Sequence, residues 1–130
     1  MKPGHTGLTR LIHSFSYSRQ GLCAAWKHEA AFRQEVALAL ALLPATFWLA
    51  RTLVEWLMLV STALLVMLVE LLNSGIEAVV DRISAERHPL AGRAKDLASA
   101  AVLIATCIAG VTWCGLLLAR CGLVPLSWGL

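Results

Sequence analysis

Four polar side chains interrupt an apolar segment at spacings that fit one face of an α-helix. They are Glu70, Asn73, Glu77 and Asp81, and they follow the run "LLVMLV". Because an α-helix has 3.6 residues per turn, positions three, four and seven apart lie on the same side of it. Ionisable groups inside a membrane segment are unfavourable unless they are paired or hydrated, and they usually mark function. These four residues, here named the polar stripe, therefore predict an intramembrane polar site.

Three interpretations of the polar stripe make different demands on the rest of the chain. A structural hydrogen-bond network between helices usually needs one or two amides or hydroxyls, and three carboxylates without a Lys or Arg in the same span fit it poorly. A proton or cation path through an oligomer would use the carboxylates in succession. A phosphoryl-transfer site would need carboxylates for Mg²⁺ and cations for phosphates at one interface.

The segments that flank the apolar runs supply the additional groups that phosphoryl transfer requires. The N-terminal segment and the loop "ERHPLAGRAKD" contribute Arg10, Tyr17, Glu29, Arg33, Gln34, Glu35, Arg87, His88, Arg93, Lys95 and Asp96. Gathered at one interface, such groups can hold a metal–nucleotide complex above a membrane-buried base, as transfer to a lipid hydroxyl requires. The sequence contains neither a Walker A loop nor the protein-kinase loops, so such a kinase belongs to neither common type.

Composition and charge limit the class of protein. The chain has 130 residues, of which 58% are hydrophobic and 15% charged, and its mean hydropathy is +0.72. A soluble domain of this length needs a more polar surface, so the composition predicts a single membrane-embedded domain over residues 1–130. The net charge of +3 is small and the basic residues are not clustered, which argues against nucleic-acid binding.

Three apolar segments predict transmembrane helices, because about 20 residues of helix cross the hydrocarbon core of a bilayer. We place them at residues 36–50, 56–80 and 97–119. A cytoplasmic loop at 82–96 joins the second span to the third. The first segment is short for a span and contains Pro44.

Lys and Arg residues predict the orientation of these spans. They are concentrated before the first span and in the loop at 82–96, whereas only Arg51 and Arg120 lie on the opposite side. The positive-inside rule therefore places the N-terminus in the cytoplasm and, after three spans, the C-terminus in the periplasm.

Residues 5–34 predict an amphipathic helix that lies on the membrane surface. Apolar side chains recur at helical spacing from Leu8 to Phe15, and they recur again around Trp26 after a predicted break at Gly21. The alternative is a cytoplasmic helix that packs directly on the spans.

Small residues in the third span predict close packing between helices. Ala101, Ala105 and Ala109 are spaced by four, as at many membrane helix contacts. Three helices enclose polar groups poorly. We therefore expect a homo-oligomer whose polar sites lie between helices.

Three stretches of this sequence resemble the prokaryotic diacylglycerol kinase family of small integral membrane enzymes. They are "AAWKHEAAFRQE", "VELLNSGIEAVVDRI" and "GRAKDLASAAVLIA", and the resemblance covers about residues 7–118. It implies an all-α homotrimer with three transmembrane helices and an N-terminal surface helix per chain. It also implies active sites at subunit contacts near the cytoplasmic face of the bacterial inner membrane. The implied reaction converts diacylglycerol and MgATP to phosphatidic acid and ADP, with phospholipid recycling as the expected pathway.

The resemblance also implies roles for individual residues. Glu70 matches the general base, Glu29 and Glu77 match the carboxylates that hold Mg²⁺ with ATP, and Asn73 and Asp81 match supporting positions. The nucleotide positions are Arg10, Tyr17, Glu29, Glu77, Glu86, Arg87, His88, Lys95 and Asp96. The lipid positions are Arg10, Ser14, Phe15, Ser16, Tyr17, Ser18, Arg19, Cys23, Ala24, Ala25, Trp26, Ala31, Phe32, Arg33, Gln34, Glu35, Trp48, Leu49, Ala50, Arg51, Trp56, Glu70, Ser99 and Trp113.

Several alternatives remain open at this point. Undecaprenol kinase uses the same machinery on a polyisoprenyl alcohol, although the chain length and the N-terminal helix favour diacylglycerol. A small ion or proton conductor would need neither the basic loop nor Glu29, and a structural subunit would tolerate Glu70→Gln. Two features depart from the family pattern: a short turn around Arg51, and Pro89 directly after His88 in the nucleotide loop.

Overall fold

A computed structural model describes residues 6–83, 86–125 and 127 of the chain. These residues form four α-helices, which are α1 (Leu8–His28), α2 (Ala30–Leu49), α3 (Leu53–Ile83) and α4 (Pro89–Arg120). Helices α2, α3 and α4 are each long and apolar enough to cross a membrane. The predictions of an all-α fold and of three apolar membrane helices are therefore confirmed.

The boundary between the first two helices differs from the prediction. The predicted surface helix at 5–34 is wrong at its C-terminal end, because α1 ends at His28 and α2 already begins at Ala30. Glu29 between them is extended, with φ −113° and ψ 105°. His5, where the predicted helix starts, lies outside the described residues. The surface location of α1 stays a prediction.

An arginine from α2 satisfies the end of α1. Nη1 of Arg33 donates to the backbone carbonyl oxygens of Trp26 at 2.7 Å and Lys27 at 3.2 Å. The last carbonyls of a helix lack partners within it, so this contact stabilises the interruption at Glu29. The predicted break at Gly21 is wrong, since α1 continues through that residue.

A capping arrangement produces the short turn between α2 and α3. The Thr52 hydroxyl oxygen accepts a hydrogen bond from the backbone N–H of Glu55 at 3.2 Å, and the Glu55 carboxylate accepts one from the backbone N–H of Arg51 at 2.7 Å. This arrangement is close to a capping box. Helix α3 consequently begins at Leu53, before the predicted start of the span at residue 56.

The predicted loop at 82–96 is largely helical, and that prediction is corrected. Helix α3 extends to Ile83 and α4 begins at Pro89. His88 is the N-cap of α4, and its Nδ1 accepts a hydrogen bond from the backbone N–H of Leu90 at 3.1 Å. Proline is well suited to the first position of a helix, because its missing N–H would have no partner there. Residues 84 and 85 of the predicted loop lie outside the described part of the chain.

Helix α2 continues through Pro44, although a proline commonly kinks or ends a helix. A proline inside a helix removes one backbone hydrogen bond. The hydroxyl of Thr46 donates to the carbonyl of Leu43 at 2.6 Å and accepts a hydrogen bond from the Trp56 indole at 3.1 Å. Through the hydrogen bond with Trp56, the buried Thr46 joins α2 to α3 beside the proline. Helix α2 then continues to Leu49.

Two further contacts join the helices at the same end of the bundle. The Trp113 indole N–H of α4 donates to the Thr62 hydroxyl of α3 at 3.1 Å. Arg120 donates through Nε to the carbonyl of Trp48 at 3.0 Å, and its guanidinium lies over the Trp48 ring, 5.0 Å from the ring centroid. These contacts hold α4 against α2 and α3.

The interior of the single chain is small. The most extensive packing joins α3 to α4, and α2 packs on α3. Leu59 is fully buried, and the small side chains of Ala98 and Ala105 are buried at close approaches, whereas Ala101 is exposed. Most large apolar side chains on the helices face outward. Such a surface requires lipid or other chains around it.

Candidate functional site

A cluster of carboxylates lies where the beginning of α2 meets the second half of α3. Glu70 is buried, with 7% of its surface exposed. Glu77 and Glu29 both lie within electrostatic range of Glu70, and so does Glu35 of α2. These four glutamates are here named the carboxylate cluster. Like charges this close repel one another, so the cluster favours a bound cation or proton.

The interruption between α1 and α2 positions one member of this cluster. Glu29 is the extended residue at the junction, so its side chain follows neither helix. Arg33 fixes that junction through the end of α1. A continuous helix over 5–34 would direct Glu29 differently. The helix break is therefore part of the site.

An amide holds the second carboxylate of the polar stripe. Nδ2 of Asn73 donates to Oε1 of Glu77 at 3.5 Å. Oδ1 of Asn73 is buried without a hydrogen-bond partner among the described residues, and the same is true of Oε2 of Glu35. Buried polar atoms normally have partners, so both atoms are candidates to meet a ligand or water.

A cleft of about 560 Å³ lies between the end of α3 and the start of α4. Nζ of Lys95 lies 2.6 Å from Oδ1 of Asp81 within it, and Lys95 is also in electrostatic range of Glu77. The cleft therefore adjoins the carboxylate cluster. Its lining residues are Val80, Asp81, Glu86, Arg87, His88, Ala91, Gly92 and Lys95.

A second cleft, of about 690 Å³, separates α1 from α3. Glu29 lies on its border, and α3 faces it with Leu71 and with the small residues Ser74, Gly75 and Ala78. Small side chains on α3 leave this space open. It gives an elongated ligand a route to the carboxylate cluster from the side of α1.

The carboxylate cluster fits a divalent cation that is shared with phosphates. Within the described part of the chain, no group of three or more His, Cys, Asp or Glu side chains is arranged to hold a metal. Mg²⁺ commonly takes only one or two carboxylates and completes its shell with phosphate oxygens and water. Glu29 and Glu77 supply such a pair of hard oxygen donors. The donor set therefore fits Mg²⁺ bound together with a nucleotide.

The site residues expected from the sequence fall into two regions. Glu29 and Glu77 both lie within electrostatic range of Glu70, and the cleft at α4 is lined by four of the nine nucleotide positions, which are Glu86, Arg87, His88 and Lys95. In contrast, Trp56 lies fourteen residues before Glu70 on α3, about 21 Å away by helical rise. Trp48, Leu49, Ala50 and Arg51 lie in the same distant region, at the junction of α2 and α3.

The expected residues on α1 are mostly exposed. Arg10 lies on the outer part of this helix, where its carbonyl accepts a hydrogen bond from the Ser14 hydroxyl at 3.0 Å. The Tyr17 ring stacks on His13 with a centroid distance of 6.4 Å. Phe32 of α2 is buried. The other exposed positions on α1 are Phe15, Ser16, Ser18, Arg19, Cys23, Ala24 and Trp26. Those on α2 are Ala31 and Gln34, and those on α4 are Asp96 and Ser99.

Three residues with defined contacts were not identified from the sequence. Thr46 and Thr62 accept hydrogen bonds from tryptophans, and Arg120 stacks on a third. Thr62 and its partner are 51 residues apart, so no local pattern marks the pair. The sequence gives one signal for such a pair, which is a threonine inside one apolar span and a tryptophan near the end of another.

Comparison with known proteins identifies related sequences over most of the chain. The profile of a family described as prokaryotic diacylglycerol kinase matches residues 16–117. The chain is 57% identical over 112 residues to a diacylglycerol kinase of Haemophilus influenzae, covering 86% of this chain and 95% of the relative. It is 56% identical over 118 residues to a diacylglycerol kinase of Escherichia coli K12, covering 90% and 96%. A diacylglycerol kinase of Pseudomonas aeruginosa is 48% identical over 115 residues, covering 88% and 94%.

Proposed function

This chain belongs to the prokaryotic diacylglycerol kinase family, and we propose that it transfers the γ-phosphoryl group of ATP to the hydroxyl of diacylglycerol. The products are phosphatidic acid and ADP. The three apolar helices and the family make it a membrane protein. The observation that carries the proposal is the buried Glu70, which lies within electrostatic range of Glu29 and Glu77, while Glu77 is in turn within electrostatic range of Lys95 in the cleft.

Glu70 acts as the general base in this proposal. A primary alcohol is a weak nucleophile, and a carboxylate within hydrogen-bond reach assists its attack by accepting the hydroxyl proton. Glu70 is buried in α3, and we propose that the headgroup hydroxyl of the lipid meets it there. The alcohol oxygen then bonds to the γ-phosphorus, and the bond to the β-phosphate oxygen breaks as ADP leaves.

Glu29 and Glu77 would hold Mg²⁺ together with the phosphates of ATP. When bound, the ion would offset the phosphate charge that repels the nucleophile. Asn73 orients Glu77 by donating to its carboxylate. The repulsion within the carboxylate cluster supports this assignment, because a cation relieves it.

The cleft between α3 and α4 is the proposed nucleotide site. Arg87 and Lys95 supply cations for the phosphates, and Asp96 follows Lys95 on the same turn of α4. Arg10, Tyr17, Glu86 and His88 complete the proposed set. Asp81 supports it by pairing with Lys95.

The proposed lipid site follows α1 and the membrane-facing surface of the spans. The headgroup would lie between α1 and α3, in the cleft bordered by Glu29. Membrane lipids would surround the exposed apolar surface. We propose that residues 1–130 form a single domain in the bacterial inner membrane. Its N-terminus lies in the cytoplasm and its C-terminus in the periplasm. Its proposed role is in phospholipid recycling.

The assembly is proposed to be a homotrimer with active sites at subunit contacts. The small interior and the outward-facing apolar side chains support an oligomer. Mixing Glu70→Gln chains with Lys95→Ala chains before assembly tests shared sites. Activity of the mixture above that of either variant alone is expected if one chain supplies the base and another the cation, and its absence contradicts shared sites.

The rival functions are less well supported. Every relative described above is named a diacylglycerol kinase, and none is named an undecaprenol kinase or a channel. A conductor would also have no use for the cleft that contains Lys95 beside the carboxylates.

The direct test measures transfer of radiolabelled γ-phosphate from MgATP by purified protein in mixed micelles. Diacylglycerol and undecaprenol are supplied in parallel as acceptors. We expect transfer to diacylglycerol. Preference for undecaprenol would change the substrate while keeping the mechanism, and transfer to neither by folded oligomer would overturn the proposal.

A further inference from the structure

An apolar groove of about 360 Å³ runs between α2, α3 and α4. Each helix contributes side chains spaced by three and four, so each presents one continuous face to the groove. The lining residues are Glu35, Leu38, Ala39 and Leu42 of α2, Ala63, Val66 and Met67 of α3, and Thr106, Ala109, Gly110 and Trp113 of α4. Glu35 is the only ionisable residue among them.

One end of this groove opens at the proposed base. Glu35 lies at that end and is within electrostatic range of Glu70. On α3, Glu70 follows Val66 and Met67 by one helical turn on the same face. A lipid whose hydroxyl is at Glu70 therefore has an apolar path that leads directly away from it.

The Trp113 side chain lines the other end of the groove. Its indole N–H donates to the Thr62 hydroxyl at 3.1 Å, which holds the ring across the space between α3 and α4. The Thr62 hydroxyl is itself oriented by its single proton, which is shared between the carbonyl oxygens of Met58 and Leu59, 2.8 and 3.1 Å from Oγ1. The ring is therefore held in one orientation.

A separate apolar cleft of about 210 Å³ lies beyond this tryptophan. Trp113 and Leu42 line both spaces, so together they form the partition between the groove and the cleft. From Glu35 to Leu42 the groove extends seven residues along α2, which is about 10 Å by helical rise. Its length is thus set by the position of the partition.

We propose that this groove holds an acyl chain of diacylglycerol and that Trp113, held by Thr62, limits the length of chain that it accepts. The inference rests on the proposed function. An acyl chain is favoured as the occupant because the groove is apolar and because Glu35, one of its lining residues, is within electrostatic range of the base. A hydrocarbon chain gains free energy in proportion to the apolar area it buries, so extra room beyond the partition favours longer chains.

The test measures kcat/KM for a saturated series of dioctanoyl-, didecanoyl- and dimyristoylglycerol with the wild-type protein and with Trp113→Ala. Removing the indole joins the groove to the second cleft. We expect the ratio of kcat/KM for dimyristoylglycerol to that for dioctanoylglycerol to rise about tenfold, the discrimination that a few methylene contacts provide. Thr62→Val keeps the shape and removes the acceptor, and it should shift the same ratio in the same direction by less.

Thr46→Val is the matched control for the loss of a tryptophan–threonine hydrogen bond. It removes the acceptor of the Trp56 indole, whose bond has the same length of 3.1 Å, and neither residue lines the groove. We expect this variant to lower the thermal midpoint without changing the chain-length ratio. An equal shift of the ratio in Thr46→Val would show that loosening of the bundle, and not the partition, sets the preference.

Two results would overturn the inference while leaving the kinase activity intact. One is an unchanged chain-length ratio in Trp113→Ala protein that still phosphorylates dioctanoylglycerol. The other is loss of the oligomer in that variant, measured by native mass spectrometry, which would assign the groove to a second copy of the chain. Failure of the wild-type protein to phosphorylate any diacylglycerol would instead contradict the proposed function.

Discussion

The ammonium group of Lys95 lies 2.6 Å from a carboxylate oxygen of Asp81 and joins the end of α3 to the first turns of α4. The side chains of the two residues are 42% and 66% exposed. Exposed ion pairs of this kind contribute little to stability, because solvent and salt screen them. The main consequence of the pair is therefore positional, because it places a cation in the proposed nucleotide cleft.

Replacing Lys95 separates this role from stability. We expect Lys95→Ala to leave the free energy of unfolding nearly unchanged, because the ion pair is exposed. We expect kcat/KM for ATP to fall by about a hundredfold, because a positioned cation that stabilises phosphate charge is lost. Steady-state kinetics with varied ATP and thermal unfolding of the same preparation check both values.

The matched control for that variant is Lys27→Ala. Lys27 lies in the last turn of α1 and outside both clefts. Its kinetic constants for ATP should stay at the wild-type values. Equal losses in the two variants would mean that general electrostatic attraction, and not the cleft, accounts for nucleotide use.

Removing the Asn73 amide should weaken use of the metal. Asn73 donates to Glu77 at 3.5 Å, and groups that orient a metal-binding carboxylate typically affect metal affinity by about 10- to 100-fold. We expect Asn73→Ala to raise the Mg²⁺ concentration for half-maximal activity by about tenfold, with little change in maximal rate at saturating Mg²⁺. An unchanged Mg²⁺ titration would remove Asn73 from the positioning of Glu77.

The His88 side chain should have a structural role that can be separated from nucleotide binding. Its Nδ1 caps α4 by accepting from the N–H of Leu90 at 3.1 Å. Loss of an N-cap typically costs about 1 kcal/mol, and asparagine is among the best replacements. We expect His88→Ala to lower the thermal midpoint and His88→Asn to restore it.

The kinetics of the same two variants decide whether His88 also contacts ATP. If it caps the helix only, His88→Asn should recover the KM for ATP together with the thermal midpoint. A restored midpoint with a KM that stays raised would assign His88 a direct contact with the nucleotide.

Arg120 should stabilise the distant end of the bundle. Its guanidinium donates to the Trp48 carbonyl at 3.0 Å and lies over the Trp48 ring. A hydrogen bond from a charged group contributes about 1.5–3 kcal/mol. Arg120→Ala should lower the thermal midpoint, and Arg120→Lys should recover little of it, because lysine lacks the planar group. Full recovery with lysine would show that charge alone matters there.

The spacing of the polar residues predicted the contact between Asn73 and Glu77, whereas the apolar pattern predicted the helix ends poorly. Asn73 and Glu77 are in contact within one helix, as four-residue spacing requires. The spans expected at 56–80 and 97–119 extend as helices to Leu53–Ile83 and Pro89–Arg120. Hydropathy marks only the part of a helix that favours lipid, whereas the hydrogen-bonded backbone continues into its polar ends.

Features that depend on contacts between distant residues could not be predicted. The extended conformation of Glu29 has no glycine or proline beside it, and it depends on Arg33 reaching the carbonyls at the end of α1. The contact between Trp113 and Thr62 joins separate helices. In both cases the determining interaction forms only after the helices pack.

The central claim is tested most directly by the turnover of Glu70→Gln protein in mixed micelles with MgATP and diacylglycerol. Glutamine keeps the shape of the side chain and cannot accept the hydroxyl proton as a base. We expect kcat to fall by at least about a hundredfold. Glu55→Gln, in the first turn of the same helix and at its opposite end, should keep the wild-type rate. Near-normal turnover by Glu70→Gln protein would contradict the assignment of Glu70 as the base.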